Sequence, residues 1–245
     1  LTMEEAIDGE THFGQLPHLA MDTSPGLPWM AWKPQGAHGK EWLFDTVDGK
    51  RRPIKKLHQH VADVLGLHAQ GVAFPFVFRG TLKDERRDLE RVDLKKTRIF
   101  TAGPVGKTII DRMYYGDFIY QFKASCLSIN SAYGIDPEKL QWTDLISRHL
   151  KMGNKHFGFD YSGFDASENN ALTQASIDVI KRFYPEKCHV ALDCSAVESF
   201  NHYVTLGHDL YQAHQGNPSG CVMTTVTNTI VNMLLMYLCY IRLCR

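Results

Sequence analysis

Two carboxylates, Asp160 and Asp165, bracket the segment Asp160-Tyr161-Ser162-Gly163-Phe164-Asp165. Residues 155–160 (KHFGFD) predict a strand that delivers Asp160 at its C-terminal end, with Gly163 turning the chain behind it. A carboxylate at an open strand end suits a hard cation such as Mg²⁺, which keeps several waters and takes only one or two protein carboxylates. The second carboxylate can then point elsewhere in the same cleft, for example at a sugar hydroxyl. A solvated turn with two incidental acids is the competing reading of this pattern.

A second constellation is the tight loop Gly216-Asn217-Pro218-Ser219-Gly220, which feeds a helix predicted from about Cys221 onward. On that helix Thr224 and Asn228 stand four apart and share a face. A hydroxyl and an amide aligned at the mouth of a glycine loop suit hydrogen bonding to a ribose or a backbone; a helix capped by Ser219, with both polar residues packed inside, is the alternative. The third constellation is cationic. Residues 79–112 hold ten basic side chains against six acidic ones, so a chain with 27 of each overall concentrates positive charge in one stretch. Local field, not net charge, decides polyanion binding. Lys83, Arg86, Arg87, Arg91, Lys95, Lys96 and Arg98 punctuate a strand–loop–strand pattern that can aim several cations into one channel, where they would neutralise a triphosphate and a leaving pyrophosphate. A solvated mixed-charge face would use the same residues.

These groups need a scaffold, and the composition supplies one. With 245 residues, 44% hydrophobic and 22% charged, the chain can bury one large core or two modest ones, and global disorder is excluded. Residues 21–39, rich in Pro and Gly but carrying Trp29 and Trp32, predict an ordered loop. Short strands are expected at 72–79, bent at Pro75, and at 97–101, with a strand or hairpin at 199–208. Helices are expected to begin at residues 1–6 and to span 106–122, 136–150 (capped by Asp136, with Pro137 first) and 167–183. Strands and helices mix without regular alternation, which favours α+β. Six cysteines without a C-x-x-C pair read as reduced core thiols. The longest unbroken apolar run, 233–241, has nine residues against the roughly 18 a membrane span needs, so no transmembrane segment is expected. No charged-then-apolar leader opens the chain, and the apolar pattern reaches Arg245 without a cap, so a part of a longer protein is expected.

Taken in order, LKDERR…KKTRIF, FDYSGFDAS and GNPSGCVMTTVTN resemble the RNA-dependent RNA polymerases of picorna-like positive-strand RNA viruses, and Thr23-Ser24-Pro25-Gly26-Leu27-Pro28-Trp29 is similar to that family's template loop of the T-S-x-G-x-P type. The resemblance implies an α+β right-hand polymerase fold, with fingers at 1–118, the first part of the palm at 119–166, a fingers insertion at 167–211 and the palm loop and helix at 212–245. It implies Asp160 as the metal-binding and catalytic carboxylate, Asp165 as a catalytic-site carboxylate on the ribose 2′-hydroxyl, and Asn228 as its support. Ser219, Gly220 and Thr224 would form the loop and helix start beneath the nascent pair; Lys83, Arg87, Arg91 and Arg98 would meet the triphosphate; Thr23, Ser24, Pro25 and Gly26 would meet the template. Mg²⁺, with Mn²⁺ as a substitute, is the implied cofactor, and nucleoside triphosphates are the substrates. The implied partners are single-stranded template RNA, nascent RNA and other viral replication proteins, and the implied place is host cytoplasm at membrane-associated replication complexes. The implied reaction is two-metal transfer of a nucleotide to a 3′-hydroxyl, with pyrophosphate leaving.

One family feature is missing. Tyr115-Gly116-Asp117-Phe118 imitates the Gly-Asp-Asp turn that supplies further metal carboxylates, but it lacks the second Asp, precedes Asp160 and falls in a helical pattern. Residues 101–108 (TAGPVGKT) approach the phosphate-binding pattern G-x4-G-K-[ST], with Thr101 where the first glycine is needed. The loop Gly216–Gly220 is G-x-x-S-G and not the G-x-S-x-G of serine hydrolases. His202, His208 and His214 recur at six-residue steps that neither a helix nor a strand gathers. A non-catalytic single-stranded RNA-binding module would explain the cations and leave the pairing of Asp160/Asp165 with Thr224/Asn228 unused.

Overall fold

The computed structural model describes residues 1–244, apart from the side chains of Arg91 and Asp165. Helix α1 (Met3–Asp8) begins where Thr2 and Glu5 cap each other's backbone amides and ends at Gly9, in the left-handed region at φ 82°. The hairpin β1 (Glu10–Thr11) and β2 (Gly14–Gln15) leads into the Pro/Gly-rich loop, anchored by a 3₁₀ turn at Trp29–Trp32 whose Trp29 is buried. Strands β3 (Phe44–Val47) and β4 (Lys50–Pro53) turn through Asp48 and Gly49, both at positive φ. Helix α2 (Lys55–Ala69) follows, with Leu57, Val61, Val64 and His68 buried on one face.

The main sheet collects strands far apart in sequence. It runs β6 (Ile99–Ala102), β5 (Val77–Leu82), β7 (Tyr203–Leu206), β8 (Asp209–Gln212), with β5 antiparallel to β6 and parallel to β7. Between β5 and β6 lies the basic segment with the short helix α3 (Leu89–Asp93). Helix α4 (Val105–Ala124) is the spine. Its Val105, Ile109 and Ile110 enter a core with Trp29, Leu57, Val61 and Phe78. Its Tyr115, Ile119 and Phe122 enter a second core with residues of α7 (Asn170–Lys181), α8 (His189–Phe200) and α9 (Thr224–Leu243). Each end of α4 thus fixes one of the two halves that the chemistry-bearing loops join.

Several expectations are corrected. Residues 155–160 form no strand: the segment is exposed and makes no backbone ladder among the described residues, and a strand needs a neighbour's amides. Asp136 caps a turn, accepting from the Glu138 amide at 3.0 Å, and α5 (Leu140–Met152) starts four residues later. The helix expected over 167–183 is present as α7 but starts three residues later, where Asn169 caps it by accepting from the Leu172 amide, and a separate short helix α6 (Phe164–Ser167) precedes it. The strand expected at 72–79 begins only at Val77, beyond Pro75. All six cysteines are free, but Cys239 and Cys244 are exposed and not core thiols. Among the described residues α9 is, by length and composition, apolar enough to cross a bilayer, although its unbroken apolar run is short. Its first half is a core helix, with Val226, Thr227, Ile230 and Val231 buried.

Candidate functional site

The β5–β6 end of the sheet opens into a cleft of about 900 Å³, lined by Ser24, Arg79, Lys83, Arg98, Phe100 and Ser219 among others. The basic loop is folded around one carboxylate. Glu85 is ion-paired to Arg87 and lies 3.5 Å from Lys83 and 3.7 Å from Arg98. The hydrogen bond from Arg87 is the main reason its carboxyl sits below the ordinary range. Arg87 also donates to the Lys96 carbonyl at 2.7 Å, so it is the seated member of the trio, 12% exposed against 47% for Lys83 and 66% for Arg98. Lys83 and Arg98 reach solvent on long stems and can turn to an anion. Arg79, counted in the sequence only as part of the basic stretch, points into the same cleft and donates to the Met30 sulfur at 2.7 Å. Its position in β5, flanked by both neighbouring strands, was the available signal. The Arg91 side chain lies outside the described residues.

Three loops meet backbone to backbone at the edge of this cleft. A Cβ on Gly220 would overlap the Thr101 carbonyl oxygen, and one on Gly103 would stand 2.9 Å from the Gly220 oxygen. Gly26, at φ +67°, closes against Gly103 in the same way. Hydrogen bonds complete the junction: the Thr101 amide donates to Ser219 Oγ at 3.0 Å, and the Val105 amide donates to the Pro25 carbonyl at 2.9 Å. Pro25 and Gly26 are accordingly buried seats, whereas Thr23 and Ser24 are exposed. Gly220→Ala is expected to cost roughly 1–3 kcal/mol as an overpacked contact between backbones, read as a lowered urea midpoint at unchanged slope. An unchanged midpoint would contradict the junction.

A second cleft, about 620 Å³, lies at the other end of the same loop and includes Phe159, Tyr161, Phe164, Thr224, Asn228 and Asn232 in its lining. The aromatic residues flanking Asp160 thus cover the polar face of α9, and Tyr161 donates its hydroxyl hydrogen to Asn232 Oδ1 at 3.0 Å. Asn228 Oδ1 accepts from Asn217 Nδ2 at 2.6 Å, which ties the helix face to the loop before it. Thr224 Oγ1 is committed to the Pro218 carbonyl at 2.6 Å, so its visible task is to hold the loop. Asp160 is exposed, and its Oδ1 accepts from the Tyr161 amide at 3.0 Å. The rest of that carboxylate is available to a cation that retains its waters, so Asp160 fits as one ligand. Among the described residues no group of three or more His, Cys, Asp or Glu gathers around it. Asp165, the other expected carboxylate, has its side chain outside the described residues.

The phosphate-loop rival fails on geometry. A strand, a loop and a helix do follow one another at 99–124, but Lys107 is 2% exposed and turned inward. Its ammonium pairs with Asp111, donates to the Ser195 carbonyl at 3.0 Å and Ser195 Oγ at 2.9 Å, and stands 3.6 Å from Glu198. Burial pulls this lysine down, yet the Asp111 and Glu198 carboxylates outweigh it and hold its pKa above the ordinary value. Sequence reading missed this cluster; the four-residue spacing of Lys107 and Asp111 was the signal. Of the three evenly spaced histidines, His202 is buried with its ring 4.9 Å from that of Phe78, while His208 and His214 are exposed. They make no common site.

Comparison with known proteins gives a consistent result. The family model described as viral RNA-dependent RNA polymerase matches residues 1–244. The replicase polyprotein of acute bee paralysis virus is 30% identical over 236 residues, covering 96% of this chain and 12% of the polyprotein. The genome polyprotein of rice tungro spherical virus (strain Vt6) is 32% identical over 232 residues, covering 91% of this chain and 7% of the polyprotein. Among solved structures, Sicinivirus 3Dpol RNA-dependent RNA polymerase superposes with a TM-score of 0.77 at 27% identity, over 95% of this chain and 46% of that one. The chain therefore spans a small fraction of these polyproteins and under half of the solved polymerase.

Proposed function

The chain belongs to the viral RNA-dependent RNA polymerase family, and on that premise we propose that it is the nucleotide-selecting part of a longer polymerase that copies viral RNA. The supporting observation is that one loop and helix serve two clefts: Ser219 lines the cationic one, and Thr224 and Asn228 line the one beside Asp160. The triphosphate of an incoming nucleotide enters by the cationic cleft, where Lys83 and Arg98 exchange Glu85 for phosphate oxygens and Arg87 keeps the loop folded. Arg79 adds a charge at the cleft floor, and Arg91 belongs to the same basic segment. The exposed pair Thr23 and Ser24 touches the template, positioned by Pro25 and Gly26 beneath them. Asp160 would hold Mg²⁺ or Mn²⁺, which when bound neutralises phosphate charge.

The reaction is transfer of a nucleotide to a primer 3′-hydroxyl: the hydroxyl gives its proton to water as its oxygen bonds to the α-phosphorus, the bond from the α-phosphorus to the bridging oxygen of the β-phosphate breaks, and pyrophosphate leaves with that oxygen. Asn228 and Asp165 select ribose by hydrogen bonding at the 2′ position, and Asn217 holds the Asn228 amide for that task. Template RNA, nascent RNA and other replication proteins are the partners, and membrane-associated complexes in host cytoplasm the setting.

A site organised around a hydroxyl rejects the analogue that lacks it, because its own polar groups go unpaired. Asn228→Ala in the longer polymerase is therefore expected to narrow the ratio of ribonucleotide to deoxyribonucleotide kcat/KM by about tenfold, the worth of one such hydrogen bond. Paired single-nucleotide extension assays check this. Unchanged discrimination would remove Asn228 from the ribose role.

A further inference from the structure

We propose that Asp111, clamped by Lys107, is a positioning residue for the Gly216–Gly220 loop and acts on it through the Cys221 thiol; this rests on the polymerase reading above. The two oxygens of Asp111 face different elements. Oδ1 takes the Lys107 ammonium and accepts from Ser195 Oγ at 2.7 Å. Oδ2 faces the loop and receives Cys221 Sγ at 3.7 Å. The same sulfur lies 3.5 Å from Ser199 Oγ, which donates to the Ser195 carbonyl at 3.1 Å. The thiol is thus seated on a polar platform made by α4 and α8, with Asp111 1% exposed.

Cys221 is the residue on which the loop turns into α9. Its amide donates to the Pro218 carbonyl at 3.1 Å, and its carbonyl oxygen lies 2.9 Å from Thr224 Oγ1. Ser219 and Gly220 precede it in the cationic cleft, and Asn228 follows it in the second. Desolvation pushes the thiol up to about 11, so it remains a protonated donor to the carboxylate near neutral pH. A fully buried ion pair is weak evidence of stabilisation, since apolar residues of like volume often do as well. What an apolar pair cannot supply is a carboxylate oxygen aimed at one atom of the loop.

The test uses the longer polymerase carrying Lys107→Met with Asp111→Leu, and separately Cys221→Ala. If the platform positions the loop, the paired variant, which melts below wild type because Glu198 loses the ammonium 3.6 Å away, stays folded at the assay temperature. It also raises KM for ribonucleotides and narrows ribose discrimination, each by roughly tenfold, as sub-ångström misplacement does. Cys221→Ala, which leaves the ion pair in place, gives the same shifts, and combining all three substitutions adds little. Residue-resolved alkylation supplies a readout independent of activity, with Cys221 reacting at least about tenfold faster in the paired variant than in wild type. Wild-type KM, discrimination and thiol protection in a folded paired variant would overturn the proposal. Should that variant fail to fold, wild-type KM and discrimination in Cys221→Ala would overturn it equally. A wild-type enzyme that incorporates no nucleotide sinks the polymerase reading instead, and the alkylation result still judges the contact.

Discussion

Asp160→Asn in the longer polymerase is expected to lower nucleotide incorporation by at least about 100-fold while leaving RNA affinity within about twofold. An amide keeps the shape of the carboxylate and its acceptor toward the Tyr161 amide, so the segment 160–165 should stay folded. What it loses is the charge that a divalent cation needs from its ligand. On the proposed reading RNA is held by phosphate contacts from residues elsewhere, and Lys83, Arg87 and Arg98 are untouched by the change. Primer extension and filter binding on one preparation separate the two effects. Activity above about a tenth of wild type would mean that Asp160 is no metal ligand.

Glu198→Ala is expected to destabilise the fold by about 3–5 kcal/mol, the cost of removing one member of a buried, hydrogen-bonded charge network. Glu198 is 3% exposed and joins three elements. Its Oε1 accepts from His68 Nε2 at 2.6 Å and from the Phe74 amide at 2.7 Å, and its Oε2 lies 3.6 Å from Lys107. Truncation strands the Phe74 amide and removes half the negative charge facing the lysine. Glu198→Gln retains an acceptor for the amide and should cost clearly less, since only the charge is lost. Urea unfolding of the three proteins orders them, and a loss below about 1 kcal/mol for the alanine variant would contradict the account.

Most of the candidate site was legible because it lies in short segments whose chemistry is local. The glycines at 26 and 220 mark where backbones touch, and the cations of 83–98 occupy one loop between two strands. The expected helices over 106–122 and from 221 onward rest on periodic apolar faces, and α4 and α9 match them within a few residues. Helix α8 was not legible for a physical reason. It packs against α2, α4 and α7, so Leu192, Cys194, Ala196 and Phe200 are buried around much of its circumference and no polar stripe gives a period. Helix α2 did carry a period, at Leu57, Val61, Val64 and His68, hidden among lysines and histidines. The strand expected at 155–160 failed because β-rich composition says nothing about which backbone will supply the other half of a ladder. Thr101 already argues against a phosphate grip at Gly106-Lys107-Thr108, but the core ion pair of Lys107 shows only through Asp111 one turn later, with Ser195 and Glu198 brought in by the fold.

The central claim is that these clefts select a nucleotide against an RNA template. Single-nucleotide extension by the longer polymerase tests it most directly, on four primer–template RNAs differing only in the first unpaired template base, with Mg²⁺ and each ribonucleotide in turn. The account predicts incorporation of the complementary ribonucleotide on each template, dependent on Mg²⁺ and weak for the three mismatches. Addition that ignores the template base, or RNA binding with no incorporation on any of the four, would contradict it.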